Sequence, residues 1–185
     1  MTFSRLIVAV AILARAAPVM AQPAPSPGDL FAGYSLLPAN GDDFPRQRSH
    51  GVQGAVAFHL NRWFGIVGDI GAQYSTARDL GPGFEGLVAR TRVVEYFVGP
   101  RFTARLDGVD VFAHGIIGRA HGDAGEDFRG FSDSAVAFGG GGGVDVRVRP
   151  RLAIRTQFDL FGSFADIVDV NPRFAVGLVV GLGGG

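Results

Sequence analysis

The chain has 185 residues, rich in glycine (29) and phenylalanine (16), with no cysteine and with 17 cationic side chains against 17 acids. The lack of cysteine excludes disulfides, thiolate metal sites and a lipidated cysteine anchor. Every cation is arginine, and the acids balance them, so the basic excess of a nucleic-acid binder is missing and no nucleic-acid partner is expected.

At the N-terminus, Arg5 precedes an uninterrupted apolar run from Leu6 to Ala14 that is too short to cross a bilayer as a helix. Small residues at Val19 and Ala21 then complete the pattern of a secretory signal, so residues 1–21 are read as a cleaved signal peptide. Residues 22–28 (QPAPSPG) are a proline-rich linker. From 29 to 185 the sequence reads as one barrel domain. After Met20 no stretch approaches the ~18 apolar residues of a membrane helix, so membrane residence requires a β-barrel. The length allows about eight strands of ~10 residues and excludes a sixteen-stranded porin.

Beyond the linker the hydrophobic period is two, the signature of half-buried strands. Leu30, Ala32, Tyr34 and Leu36 alternate with Gly33 and Ser35; Val52, Val56, Phe58 and Leu60 alternate with Gln53, Ala55, Ala57 and His59. Phe64, Ile66, Ile70 and Tyr74 oppose Gly65, Asp69, Gly71 and Gln73. Val94, Tyr96, Val98, Phe102 and Ala104 oppose Glu95, Gly99, Arg101, Thr103 and Arg105, and Val111, Ala113 and Ile117 oppose Asp110, His114 and Gly118. Val136, Phe138, Val144, Val146 and Val148 follow against Ala137, Gly139, Gly141, Asp145 and Arg147. Ile154, Phe158 and Leu160 oppose Arg155, Gln157 and Asp159, and the last strand sets Phe174, Val176, Leu178, Val180 and Leu182 against Arg173, Ala175 and Gly177.

The connections alternate in length. Long ones cover Pro38 to His50, Thr76 to Arg90, His121 to Asp133 and Gly162 to Asn171; short ones are Asn61-Arg62, Asp107-Gly108 and Arg149 to Arg151. This order predicts an all-β, eight-stranded antiparallel up-and-down transmembrane barrel, with short periplasmic turns and longer surface loops. Period two alone fits a soluble barrel with its apolar face inward. Glycine and paired opposite charges on the polar faces suit a narrow, side-chain-filled lumen instead. Trp63 with Phe64 at a strand end suits an interfacial aromatic girdle.

Within that lumen the reading assembles a polar network of Asp69, Glu95, Arg101, Arg105, His114, Asp145, Arg147, Arg155 and Asp159. The hairpin at Pro150 sets Asp145 opposite Arg155, and the Asp-Gly turn sets Arg101 opposite His114. Buried ionic groups are costly unless paired, so a charge-paired plug is expected ahead of an ion path. Of the four histidines only His59 and His114 fall on polar faces, without the spacing of metal ligands, so no metal site is expected. Ser49 adjoins His50 on the opposite face of a strand, and His114 has no nearby serine; no catalytic constellation forms. Gly139 to Gly143 lacks the Lys-Ser/Thr of a phosphate loop and reads as a strand against which bulky groups approach the backbone. No cofactor is implied. The acids Asp123, Glu126, Asp127 and Asp133 lack calcium-loop spacing and are read as solvated loop charge.

Several segments carry a family resemblance: GYSLL (33–37), NRWFGIVGD (61–69), VGPRF (98–102), FAHGIIG (112–118), and GGGVDVRV followed by LAIRTQFD. Together, in this order across 29–182, they resemble the bacterial outer-membrane protein β-barrel domain family, similar to the transmembrane domain of outer-membrane protein A. The resemblance implies integral outer-membrane residence, contact with outer-membrane lipid and lipopolysaccharide, insertion by the barrel-assembly machinery, and a monomer. It does not extend to a peptidoglycan-binding domain, so no wall-anchoring role is implied. Leu182 and three glycines stand where many such barrels end in phenylalanine. The expected function is a plugged barrel with a structural or surface-interaction role. A narrow pore, a lipocalin-like periplasmic carrier and a lipid A or phospholipid hydrolase are the alternatives.

Overall fold

A computed structural model describes residues 26–38, 48–78, 88–126, 131–163 and 171–183. The signal segment and most of the linker lie outside them. Alternating side chains and short turns produce eight strands: β1 (Gly28–Pro38), β2 (Arg48–His59), β3 (Phe64–Arg78), β4 (Val88–Arg105), β5 (Val109–Glu126), β6 (Phe131–Arg149), β7 (Leu152–Ser163) and β8 (Asn171–Leu182). Each pairs antiparallel with the next, and β1 pairs with β8 from Gly28↔Leu182 to Leu36↔Phe174, which closes the barrel.

The faces fall as the period-two pattern requires. Phe58, Phe102 and Phe158 are 57%, 48% and 39% exposed on the outside, while Asp145, Arg155 and Asp159 are buried within. A soluble barrel would invert this arrangement. The continuous apolar exterior is therefore a lipid-facing surface, and the chain is a transmembrane barrel. On β4 the outward run from Ala104 to Val94 rises roughly 25 Å once a tilt of about 40° is allowed for, which matches a bilayer core. Aromatic residues mark its two rims. Trp63 stacks on Phe102 at 5.8 Å and touches Phe64 on the turn side, and the outward Tyr34, Tyr74 and Tyr96 stand toward the loop side.

The turns hold the register. Gly108, at φ 75, closes the β4–β5 hairpin, with the Leu106 amide donating to the Val109 carbonyl at 2.8 Å. Between β2 and β3 the turn spans 60–63, longer than the expected Asn61-Arg62 pair. Its length follows from Asn61, whose Oδ1 accepts from the amides of Trp63 (2.9 Å) and Phe64 (2.8 Å) and so replaces ladder bonds with a local cap.

The long connections are shorter than the sequence suggested. β4, β5 and β6 contain 18, 18 and 19 residues, against 11 or 12 in β1, β2, β7 and β8. The β5–β6 ladder continues to Ala124↔Phe131, through most of what was expected to be loop. Backbone pairing persists there because strand hydrogen bonding does not require an apolar face, only a partner. Among the described residues, the wall from β3 to β6 thus stands further above the apolar band than the wall from β7 through β2. Asp127 lies outside the described residues.

Candidate functional site

The lumen holds the buried charge, at two levels. On the turn side, β7 presents Arg155 to Asp145 of β6 across the Pro150 hairpin, in register. The guanidinium donates in bidentate fashion, Nε to Oδ1 and Nη2 to Oδ2, both at 2.7 Å. Arg155 Nη2 also reaches Asp29 Oδ1 at 3.2 Å. Arg101 bridges the same two acids from the opposite wall, with Nη1 3.4 Å from Asp29 and Nη2 3.3 Å from Asp145. His59 completes the level: Nδ1 lies 2.8 Å from the Ser26 carbonyl and Nε2 3.1 Å from Asp29 Oδ2, the latter without hydrogen-bond alignment. Two guanidiniums thus meet two carboxylates, with a histidine on the margin.

Toward the loops, Arg173 of β8 is the hub. Its Nη1 donates to Glu95 Oε2 at 3.0 Å, Nη2 to Asp69 Oδ1 at 3.0 Å and to Asp159 Oδ2 at 2.9 Å, and Nε to the same Asp159 oxygen at 3.2 Å. His114 Nε2 lies 2.9 Å from Asp159 Oδ1, and Gln157 Nε2 donates to Asp159 Oδ2 at 2.8 Å. Gln53 donates to Asp69, and Gln73 to Ser35 at 2.6 Å. One guanidinium therefore ties together carboxylates from β3, β4 and β7.

Aromatic rings line the spaces between. Two guanidinium carbons approach the Phe112 ring, Arg101 at 4.0 Å and Arg155 at 4.6 Å from its centroid. Phe31 faces Arg155 at 5.0 Å, and Phe161 faces Arg173 at 4.5 Å. Ala57, Val67, Phe97, Ile116, Ala137 and Phe161 pack into one apolar cluster, and Phe31, Ala153, Ala175 and Val179 into another. The lumen is thus a mixed core, with arginine stems and rings filling what charge alone would leave open.

The glycine run supplies the room. Gly139, Gly141 and Gly143 pair across the β6–β7 ladder with Phe161, Asp159 and Gln157. A Cβ at Gly141 would collide with the Asp159 carboxylate, and one at Gly143 would come 2.7 Å from the Phe112 ring. These positions face the lumen and are filled by their neighbours, whereas outward Gly140 meets its nearest atom at an ordinary 3.5 Å.

The structure brings together Asp69, Glu95, Asp159 and His114 at the upper level, and Arg101, Asp145 and Arg155 at the lower. Arg101 faces His114 across the β4–β5 ladder. Arg105 and Arg147 lie at the turn-side mouth of the lower level, lining one cavity with Asp29, His59 and Asp145. Arg105 donates to the Arg62 carbonyl, and the exposed Arg147 pairs with Asp110 at 3.0 Å and donates to the Leu106 carbonyl at 2.6 Å. Strand parity pointed both inward, but they lie beside the turns, where the barrel opens to water. Sequence reasoning missed Asp29 and Arg173, the residues that β1 and β8 contribute, and the inward Phe31, Phe97, Phe112 and Phe161. Arg173 carried a usable signal, because it shares the polar parity of Ala175 and Gly177. The phenylalanines carried the same signal, since Phe97 shares the parity of Glu95 and Arg101, Phe112 that of Asp110 and His114, and Phe161 that of Gln157 and Asp159.

His50 stacks on Tyr34 outside the barrel at 6.5 Å, and His121 lies 3.5 Å from Asp123 on the outward face of β5. Among the described residues, no group of three His, Asp or Glu side chains is placed to hold a metal ion.

No protein-family model and none of the curated proteins matches the chain. Solved structures do. Neisserial surface protein A superposes with a TM-score of 0.68 at 9% identity, covering 85% of this chain and 98% of that one. The attachment invasion locus protein of Yersinia pestis, Ail, in complex with the heparin analogue sucrose octasulfate, gives 0.62 at 14% identity over 84% and 98%. The outer membrane protein OprG from Pseudomonas aeruginosa gives 0.57 at 8% identity over 85% and 97%. The chain has the fold of these small outer-membrane barrels.

Proposed function

We propose that this outer-membrane barrel is a sealed, non-enzymatic component of the envelope that serves envelope structure and surface interaction and does not conduct solutes. The observation that carries the reading is the burial of Arg101, Arg155 and Arg173, each at most 2% exposed, in two tiers of ion pairs that reach across the lumen. An eight-stranded interior is just wide enough for side chains, and these occupy it. Bidentate pairing makes the seal rigid, because moving one guanidinium strands several carboxylates in a low-dielectric interior. The tall β3–β6 wall supports the surface role, since it carries side chains past the lipid into the space where partners are met.

The test is conductance in a planar bilayer. Purified barrel should give no stable steps above leak, and discrete steps from the unmodified protein would replace the sealed reading with a narrow pore. Salt-resistant retention in membranes is expected as well, and release by high salt would favour a soluble carrier.

A further inference from the structure

Above the tyrosine rim the lipid-facing phase of β4 and β5 turns basic. On β4 the outward positions run Val98, Tyr96, Val94 and then Arg92 and Arg90; on β5 they run Ile117 and then Arg119, His121 and Asp123. Arg90, Arg92 and Arg119 are all exposed. Register fixes their heights. Arg119 pairs with Tyr96, so it sits at the rim itself, while Arg92 pairs with Tyr74 on β3 and Asp123 on β5, two outward positions further along the strand. Arg90 follows opposite Thr76. The Arg92 guanidinium leans over the Tyr74 ring at 5.8 Å, which keeps it against the barrel wall.

Asp123 is the acid on this face and is engaged by His121 at 3.5 Å. Among the described side chains of this face, three arginines stand against one acid. On neighbouring strands the outward positions near this height include Thr76 on β3 and Ser134 on β6, both uncharged. Among the described side chains, the outward arginines of the loop side lie on β4 and β5.

We infer that Arg90, Arg92 and Arg119 form a docking surface for the phosphate groups of lipopolysaccharide in the outer leaflet. This rests on the outer-membrane reading given above, with the loop side facing outward. Three observations select a lipid phosphate. The side chains project from the lipid-facing phase, so what they meet is a membrane component packed against the wall. They begin at the tyrosine rim, where apolar chains give way to headgroups. They are arginines, whose planar fork engages phosphate oxygens two at a time where an ammonium offers a single point charge. A soluble glycan would approach from above, onto loops and strand ends, and has no need of positions level with Tyr96.

The experiment measures binding of lipopolysaccharide, and of the same material enzymatically dephosphorylated, to the folded barrel in zwitterionic bicelles. The triple variant R90Q/R92Q/R119Q should bind intact lipopolysaccharide about tenfold more weakly or worse, as expected for loss of several charge-assisted contacts. Unmodified barrel should bind the dephosphorylated form as poorly as the variant binds the intact one. Equal binding by variant and unmodified protein, or indifference to dephosphorylation, would overturn the inference. So would displacement of the lipid by a soluble sulfated sugar at comparable concentration, which would give the patch to a glycan. Heat-dependent gel mobility reports insertion separately, so failure of the outer-membrane reading is visible as unmodified protein that does not insert. Should the triple variant not fold, R119Q alone and the charge-keeping R90K/R92K/R119K decide the matter: the first should weaken binding, and the second should retain more of it than the glutamines do.

Discussion

The two ion tiers inside the barrel use the same residue types and differ in how they are balanced. Near the turns, Arg101 and Arg155 share Asp29 and Asp145, so each carboxylate keeps a second cation if one is lost. Near the loops, Arg173 alone serves Asp69, Glu95 and Asp159, with His114 the other group able to carry positive charge. The lower tier is redundant and the upper one hangs on a single side chain. A protein can therefore bury comparable charge in one place with tolerance to change and in another with none.

Substitution at the hub should separate the tiers most sharply. Arg173→Met leaves three buried carboxylates facing one another, and loss of a buried partner costs about 3–5 kcal/mol. The variant is expected to fail to reach the heat-modifiable folded form, or to unfold from lipid at much lower denaturant. If it folds as well as the parent, the upper tier is not held by Arg173. Arg101→Met in the lower tier should cost less, about 1.5–3 kcal/mol, because Arg155 still compensates both aspartates. Equal losses in the two variants, measured by denaturant unfolding in vesicles, would erase the contrast.

The glycine run gives a finer comparison between its two faces. Gly141→Ala drives a methyl group into Asp159 and should destabilise by about 1–3 kcal/mol, the usual cost of overpacking. Gly140→Ala faces lipid with ordinary clearance and should stay within about 0.5 kcal/mol of the parent. The smallest effect is expected at the turn side, where Arg147→Gln removes a water-exposed pair with Asp110 and should cost at most about 1 kcal/mol. A large loss there would mean that Arg147 belongs to the lumen network after all.

How much of this was legible depended on what fixes register. Asp145 with Arg155, and Arg101 with His114, were readable because two- or three-residue turns leave no freedom in which residues face each other. Arg173 and Asp29 were not, since their partners lie across long connections or across the β1–β8 seam, where no turn sets the pairing. Arg155 and Asp29 are 126 residues apart in sequence, yet 3.2 Å apart in the barrel. Arg105 and Arg147 show a different limit, since they line the turn-side mouth of the lumen and not its centre. Alternation gives the face of a residue but not its height, and height decides whether an inward side chain meets the plug or the water. The lumen phenylalanines stand in the same phase as Ser35, Glu95, His114 and Asp159, and were passed over because a polar face was read for its charges alone.

The pairing of Gly28 with Leu182 makes the eight strands a cycle in which no strand is first or last in space. Hydrogen bonding at that junction is the same in kind as at every other, so the position of the break in the covalent chain is a matter of how the polypeptide is delivered and not of what the finished wall needs. Splicing the two ends through a short linker and reopening the chain within 39–47 should return the same cylinder, with both ends of the polypeptide now on the opposite side of the membrane.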